Sequence, residues 1–172
     1  MNITDASEDD LPGILAIYND AVRNTAAIWN ETEVDLGNRH DWWQARTAQG
    51  YTVLVARDGD FVAGYASFGD WRAFDGYRHT VEHSVYVHPD ARGRGLAGAL
   101  MAELVERARA MGKHMMVAGI ESGNLPSIRL HERMGFRITG EMPQVGCKFG
   151  RWLDLTFMQL SLDDRAAPED AR

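Results

Sequence analysis

Cysteine is nearly missing from this sequence: Cys147 stands alone among 172 residues. One thiol excludes an internal disulfide and any zinc site built on paired cysteines, and it fits a reducing compartment such as the cytoplasm. No apolar run approaches the roughly 20 residues that a membrane-spanning helix needs. The opening residues MNITDASEDD lack a basic start followed by an apolar stretch, so no secretory leader is expected. Positive charge is in deficit: 18 Lys and Arg against 25 Asp and Glu leave a formal net charge of −7. Phosphate backbones and anionic lipid repel such a chain, so neither nucleic acid nor a membrane is expected as a partner, although a local basic patch stays possible. No cluster of His, Asp and Glu reads as a ligand set, and no metal is expected. Repeats and low-complexity blocks are also absent.

What is present suits one globular domain. Apolar residues are 45% and charged residues 25% of the chain, which is ordinary for a folded protein. The domain is expected over residues 1–162, with a solvated tail, DDRAAPEDAR, over 163–172. Residues 7–24 read as a helix: Ser7 can cap it, acids fill its first turn, and Leu11, Ile14, Leu15, Tyr18 and Val22 recur at helical spacing. A second helix is expected over 36–49. Strands over 51–57 and 61–68 flank an Asp58-Gly59 turn, and a third covers 80–87.

Leu96, Leu100, Leu104 and Ala108 form one face of a helix over 96–111, which Gly112 ends. A buried strand over 114–120 and a helix over 125–134 follow, the helix opened by Asn124 and Pro126. Strands over 135–141 and 152–160 close the chain. This alternation predicts an α/β (α+β) domain, a mixed central sheet with helices on both faces.

Chemistry concentrates in VYVHPDARGRGLAGAL, residues 85–100. A strand runs through a glycine-rich turn straight into a helix. Gly93 and Gly95 permit backbone angles closed to other residues. The first amides of the helix have no partner, and the helix dipole is positive there. Arg92 and Arg94 add charged donors, so the segment is built for a phosphate or pyrophosphate. The G-K-[ST] of a P-loop and the full G-x-G-x-x-G of a dinucleotide fold are both missing.

Arg92, Gly95 and Ala97 match in register the R/Q-x-x-G-x-G/A loop of the GNAT acetyltransferases, which this chain resembles. Asn124, Ser127, Leu130, Gly135 and Phe136 match a second superfamily segment, N-x-x-[AS]-x-x-L-Y-x-x-x-G-F. TVEHSVYVHP, MVAGI and VGCKFGRWLDLTFMQL are similar to the phosphinothricin and methionine sulfoximine N-acetyltransferase branch, and the similarity spans nearly the whole chain. The resemblance implies a GNAT fold with a splayed strand pair, acetyl-CoA as acetyl donor, an amino acid or analogue acetylated on its α-amine by direct transfer, a detoxifying role, and a homodimer.

It also implies site residues. Val85, Tyr86 and Val87 would cradle the pantetheine arm, one of their amides polarising the thioester carbonyl. Arg92, Gly93, Arg94, Gly95, Leu96, Ala97 and Gly98 would hold the pyrophosphate, with Asn124 and Ser127 along the arm. Glu82, an acid in a strand of Val and Thr, is the candidate general base, directly or through a water, or else an edge glutamate in solvent. His131 stands where the superfamily usually has the tyrosine that protonates the leaving thiolate; it either serves that role or packs as a helix histidine. Strand alternation turns His83 away from the face of Glu82.

The segment WRAFDGYR, residues 71–78, is the candidate acceptor pocket, or else a surface loop. Trp71, Phe74 and Tyr77 would wall the pocket, and Arg72 or Arg78 would take a carboxylate. Asp75 or the backbone of Asp75, Gly76 and Tyr77 would receive a substrate nitrogen, and a second polar segment with Lys148 and Arg151 would complete the site, within one chain or across a dimer. Two other functions are compatible with the donor loop: acetylation of a protein or peptide, and acyl-CoA sensing without catalysis.

Overall fold

The computed structural model describes residues 1–168. In chain order it places β1 (Asn2–Asp5), α1 (Leu11–Asn24), α2 (Leu36–Ala48), β2 (Val53–Asp58), β3 (Phe61–Asp70) and β4 (Thr80–Val87). Then come α3 (Leu96–Ala110), β5 (Met115–Glu121), α4 (Leu125–Arg133), β6 (Arg137–Lys148) and β7 (Arg151–Ser161). The strands form one sheet in the order β1-β2-β3-β4-β5-β7-β6. Every neighbouring pair is antiparallel except β4–β5, which is parallel.

Alternation along the strands sorts the core to both faces. Leu54, Ala56, Ala66 and Phe68 pack with Leu100, Met101, Leu104 and Ala108 of α3. Val53, Val55 and Tyr65 turn the other way onto Leu11, Ile14 and Ile17 of α1. Leu100 and Leu104 are wholly buried, a contribution of about 1.5–3 kcal/mol each. The apolar stripe anticipated for α3 is the stripe that the sheet receives.

Three elements differ from expectation. The first helix starts at Leu11, and Ser7 caps a separate 3-10 turn, Glu8–Asp10. Asp10 explains the break: its Oδ2 accepts from Ser7 N at 2.7 Å, while Arg57 grips its buried carboxylate from β2. β1 is an addition, a four-residue edge strand paired with β2. β6 runs to Lys148 through two irregularities in its pairing with β7. Pro143, which has no amide to donate, lies inside the second, where Asp154 Oδ1 accepts from Gln144 N at 2.7 Å.

The segment expected as a loose tail begins tied down. Asp163 Oδ1 meets His114 Nδ1 at 2.6 Å, and Arg165 bonds both Asp163 Oδ2, at 2.7 Å, and Gly112 O, at 2.8 Å. Residues 169–172 of that tail lie outside the described residues.

The feature that positions the site is where β4 and β5 part. They pair only at Thr80↔Met115, Val81↔Met116 and Glu82↔Val117. Beyond that, β4 follows β3 to Gly64↔Val87, and β5 follows β7 to Glu121↔Leu155. The gap opens immediately after Glu82.

Candidate active site

A cleft of about 890 Å³ occupies this gap. Its walls are the end of β4 (Val85, Tyr86, Val87), the loop and first turn of α3 (Arg92, Gly93, Gly95, Leu96, Ala97, Gly98) and the first turn of α4 (Asn124, Ser127). Gly93 and Gly95 have φ of 77° and 75°, which lets the loop turn abruptly into α3. Gly95 is the cap residue of α3, so the helix's unpaired amides face the cleft side of the loop. Asn124 Oδ1 accepts from Ser127 N at 3.3 Å and caps α4.

Main-chain direction on β4 follows from two bonds. His88 N donates to Ala63 O, and Thr80 O accepts from Trp71 N. Even-numbered residues therefore turn their backbone groups toward β3, and odd-numbered ones toward β5. Val85 and Val87 lie past the last β4–β5 pair, so their N–H and C=O groups point into the gap. An extended chain carrying amides at one end and phosphates at the other fits this cleft.

A second cavity of about 250 Å³ adjoins the first and shares Ala27 and Glu121 with it. Trp29, Trp71, Arg72, Glu82, Gly119 and Phe157 line it, together with Leu155. The Trp71 ring meets Phe157 edge-on, with centroids 5.4 Å apart, and carries the Arg72 guanidinium 4.5 Å above its face. Burial pushes the Glu82 carboxyl above its ordinary range, while the positive charges of Arg72 and then Arg46 pull it back.

A model of the acetyltransferase (GNAT) family matches residues 14–136. The chain belongs to the GNAT acetyltransferase family. Its sequence is 67% identical over 169 residues to an L-methionine sulfoximine/L-methionine sulfone acetyltransferase of Pseudomonas paraeruginosa, covering 97% of this chain and 98% of that protein. A phosphinothricin N-acetyltransferase of Alcaligenes faecalis is 39% identical over 170 residues, covering 94% of this chain and 84% of that one. An acetyltransferase from Salmonella typhimurium, solved with its cofactor acetyl-CoA, matches with a TM-score of 0.97 at 60% identity, covering 100% of this chain and 99% of that chain.

Several residues in this GNAT chain lie away from the place the sequence suggested. Arg94 turns from the cleft toward Asp58, 3.8 Å away. Lys148 is not in the acceptor pocket: it is buried, and its Nζ donates to Thr25 O at 2.7 Å and Ile28 O at 2.5 Å. Those carbonyls belong to the segment after α1 that supplies Ala27 and Trp29, so Lys148 braces the pocket wall from behind. Phe74 is 78% exposed, and Asp75 and Gly76 lie with it outside the pocket on a 3-10 turn, Asp75–Tyr77. Tyr77 lines a neighbouring hollow of about 340 Å³ on the far side of Trp71.

His131 is 1% exposed and does not line the cleft. Its Nδ1 is 2.7 Å from Ser127 O and its Nε2 is 3.0 Å from His83 Nε2, so the ring is enclosed in the core. The thiolate-protonating role that the resemblance implies does not fit that position.

Sequence reasoning missed Trp29, Phe157 and Arg46, none of which carries a local signal linking it to β4. Among the described residues no group of three or more His, Cys, Asp and Glu side chains could hold a metal. The one pair of histidines four apart, His79 and His83, leads into a strand, where four residues span about 13 Å. No described helix is long and apolar enough to cross a membrane.

Proposed function

We propose that this enzyme transfers the acetyl group of acetyl-CoA to the α-amine of a small amino acid of the methionine sulfoximine or methionine sulfone kind. One observation carries the reading: Glu82 stands in a pocket sized for a small amino acid, and that pocket joins the cleft at the parting of β4 and β5. The names of the relatives supply the substrate class. Acetyl-CoA supplies the activated acetyl group as a thioester. In this reading the amides ahead of Leu96 and the Arg92 guanidinium take its pyrophosphate, and Val85 and Val87 pair with the arm.

The acceptor arrives as a zwitterion. Arg72 takes its carboxylate, and Glu82 takes one proton from its ammonium, directly or through a water. The freed amine attacks the carbonyl carbon while the amide of Val85 or Val87 stabilises the charge gathering on oxygen. A C–N bond forms, the C–S bond breaks with its electron pair going to sulfur, and the second proton of the attacking nitrogen passes through solvent to the thiolate, which leaves the amide and the coenzyme A thiol. The product amide carries no positive charge, so groups that recognise the ammonium of the analogue lose their partner. That is the basis of the detoxifying role we assign.

A homodimer in the cytoplasm completes the proposal. Met142, Val145, Phe149 and Trp152 are exposed around the β6–β7 hairpin, and a second copy of the chain would cover them.

The test is release of coenzyme A thiol from acetyl-CoA with L-methionine sulfoximine, L-methionine sulfone, phosphinothricin, ordinary amino acids and short peptides. Turnover with the sulfoximine or sulfone is expected. Turnover only with peptides, or tight acetyl-CoA binding with no turnover, would overturn the proposal.

A further inference from the structure

Glu82 has a glycine on either side. Its partner across the β3–β4 ladder is Gly69. On the β5 side, a Cβ at Gly119 would fall 3.3 Å from Glu82 Oε1. Directly paired residues of an antiparallel ladder present their side chains on one face, so Gly69 leaves open the place beside the Glu82 stem. That place is filled from elsewhere. A Cβ at Gly69 would land on Nη1 and Cζ of Arg46, from the last turn of α2. The guanidinium crosses β3 only because residue 69 has no side chain. Arg46 Nε is buried there without a hydrogen-bond partner.

Charged and titratable groups surround Glu82 from every packed element. Arg46 approaches from α2, Asp70 lies at the end of β3, Arg72 follows β3, Tyr86 is on β4 and Glu121 on β5. Asp70 accepts from the Tyr51 hydroxyl. Lys113 Nζ, 3.1 Å from that hydroxyl, is held 2.7 Å from Arg78 O. Two cations therefore act on Glu82, and they differ in kind. Arg72 is exposed and lines the acceptor pocket, where an incoming carboxylate meets it. Arg46 does not line that pocket, so an incoming carboxylate does not meet it, and it keeps acting on Asp70 and Glu82 when the acceptor binds.

We infer that Arg46 is a positioning residue for the transfer: seated over Gly69, it keeps Glu82 ionised after Arg72 has engaged the acceptor, so that Glu82 can receive the ammonium proton. The inference rests on the proposed role of Glu82 as base. Burial favours the neutral acid, and a fixed neighbouring cation favours the carboxylate. Removing that cation moves the ionisation of Glu82 to higher pH, and the active fraction at low pH falls.

The experiment is the pH profile of kcat for thiol release with L-methionine sulfoximine, which reports Glu82 with the acceptor bound, alongside acetyl-CoA affinity and thermal melting. It compares the wild type with Arg46→Gln, Arg46→Lys, Gly69→Ala and Glu82→Gln. Arg46→Gln should shift the acidic limb to higher pH, with a loss of about tenfold on the acid side of the limb. Gly69→Ala should do the same by displacing the guanidinium without deleting it. Arg46→Lys should keep the wild-type limb, and all should bind acetyl-CoA.

Should Arg46→Gln fail to fold, Gly69→Ala decides the matter. An unmoved limb in Gly69→Ala or in folded Arg46→Gln, with the limb abolished in Glu82→Gln, would sink the role of Arg46 and leave Glu82 as base. A limb that survives in Glu82→Gln removes the base assignment itself, and the inference with it.

Discussion

His83 on β4 and His131 on α4 meet Nε2 to Nε2 at 3.0 Å, their rings stacked at an interplanar angle of 16°. The contact assigns the protons. His131 Nδ1 faces the carbonyl of Ser127 at 2.7 Å and must carry hydrogen, which leaves its Nε2 as acceptor. His83 Nε2 is then the donor, and His83 Nδ1 is left buried without a partner. Both rings are neutral. The pair ties β4, next to its parting from β5, to the helix that forms the opposite wall of the cleft.

Acid should loosen this tie. Burial and the neighbouring His131 hold His83 at about 3 against an ordinary 6.5, and burial also lowers His131. A depressed histidine pKa means that the unfolded chain binds protons first. The contribution is complete above about pH 6.5 and drains away as pH falls toward the folded value, at up to about 1.4 kcal/mol per pH unit for each group. Thermal melting from pH 7 to pH 4 should show the decline, and a His83→Leu, His131→Leu double replacement should flatten it. An equally steep decline in the double variant contradicts the assignment.

Lys148→Met should destabilise the fold. Methionine keeps the stem but leaves Thr25 O and Ile28 O without their donor, a penalty of about 1–3 kcal/mol. In a chain of this size that lowers Tm by about 2–12 °C. Acetyl-CoA affinity should weaken as well, because Thr25, Ala26 and Ala27 line the cleft. Calorimetric melting and titration read the two effects separately.

Arg92→Ala should weaken acetyl-CoA binding by about tenfold, the scale of one charged hydrogen bond. The deficit should shrink as salt rises, because Arg92 is exposed and screening reaches it. Arg94→Ala, whose side chain turns to Asp58, should change affinity far less. Equal losses in the two variants would contradict the different placement of the two arginines.

Trp152→Glu should yield a monomer by sedimentation. Trp152 is 68% exposed in the single chain, and Phe149, at the turn of the same hairpin, is 54% exposed. A charge there opposes burial against a second copy. A wild type that sediments as a monomer contradicts the homodimer directly.

The parts legible in the sequence are those encoded locally. Leu96, Leu100, Leu104 and Ala108 announce α3 by spacing, and Gly93 and Gly95 announce the turn before it. Glu82 stands out as an acid among β-branched residues. The rest depends on residues far apart in the chain. No local pattern distinguishes a lysine in a pocket from Lys148, whose ammonium reaches carbonyls more than a hundred residues earlier. The WRAFDGYR run looks like a pocket wall, yet Phe74 is in solvent while Trp29 and Phe157, from opposite ends of the chain, do that job. Gly69 falls just past the strand expected over 61–68, and nothing near it in sequence points to Arg46 lying across it.

Seven strands make one sheet on paper, but mechanically there are two plates, β1 to β4 and β5 to β7, seamed along three residue pairs. In the proposed binding mode a thioester arm threaded between them would add rungs that the polypeptide omits. The donor is therefore also a rivet, and amide exchange along the loose edges of β4 and β5 should slow when it is in place.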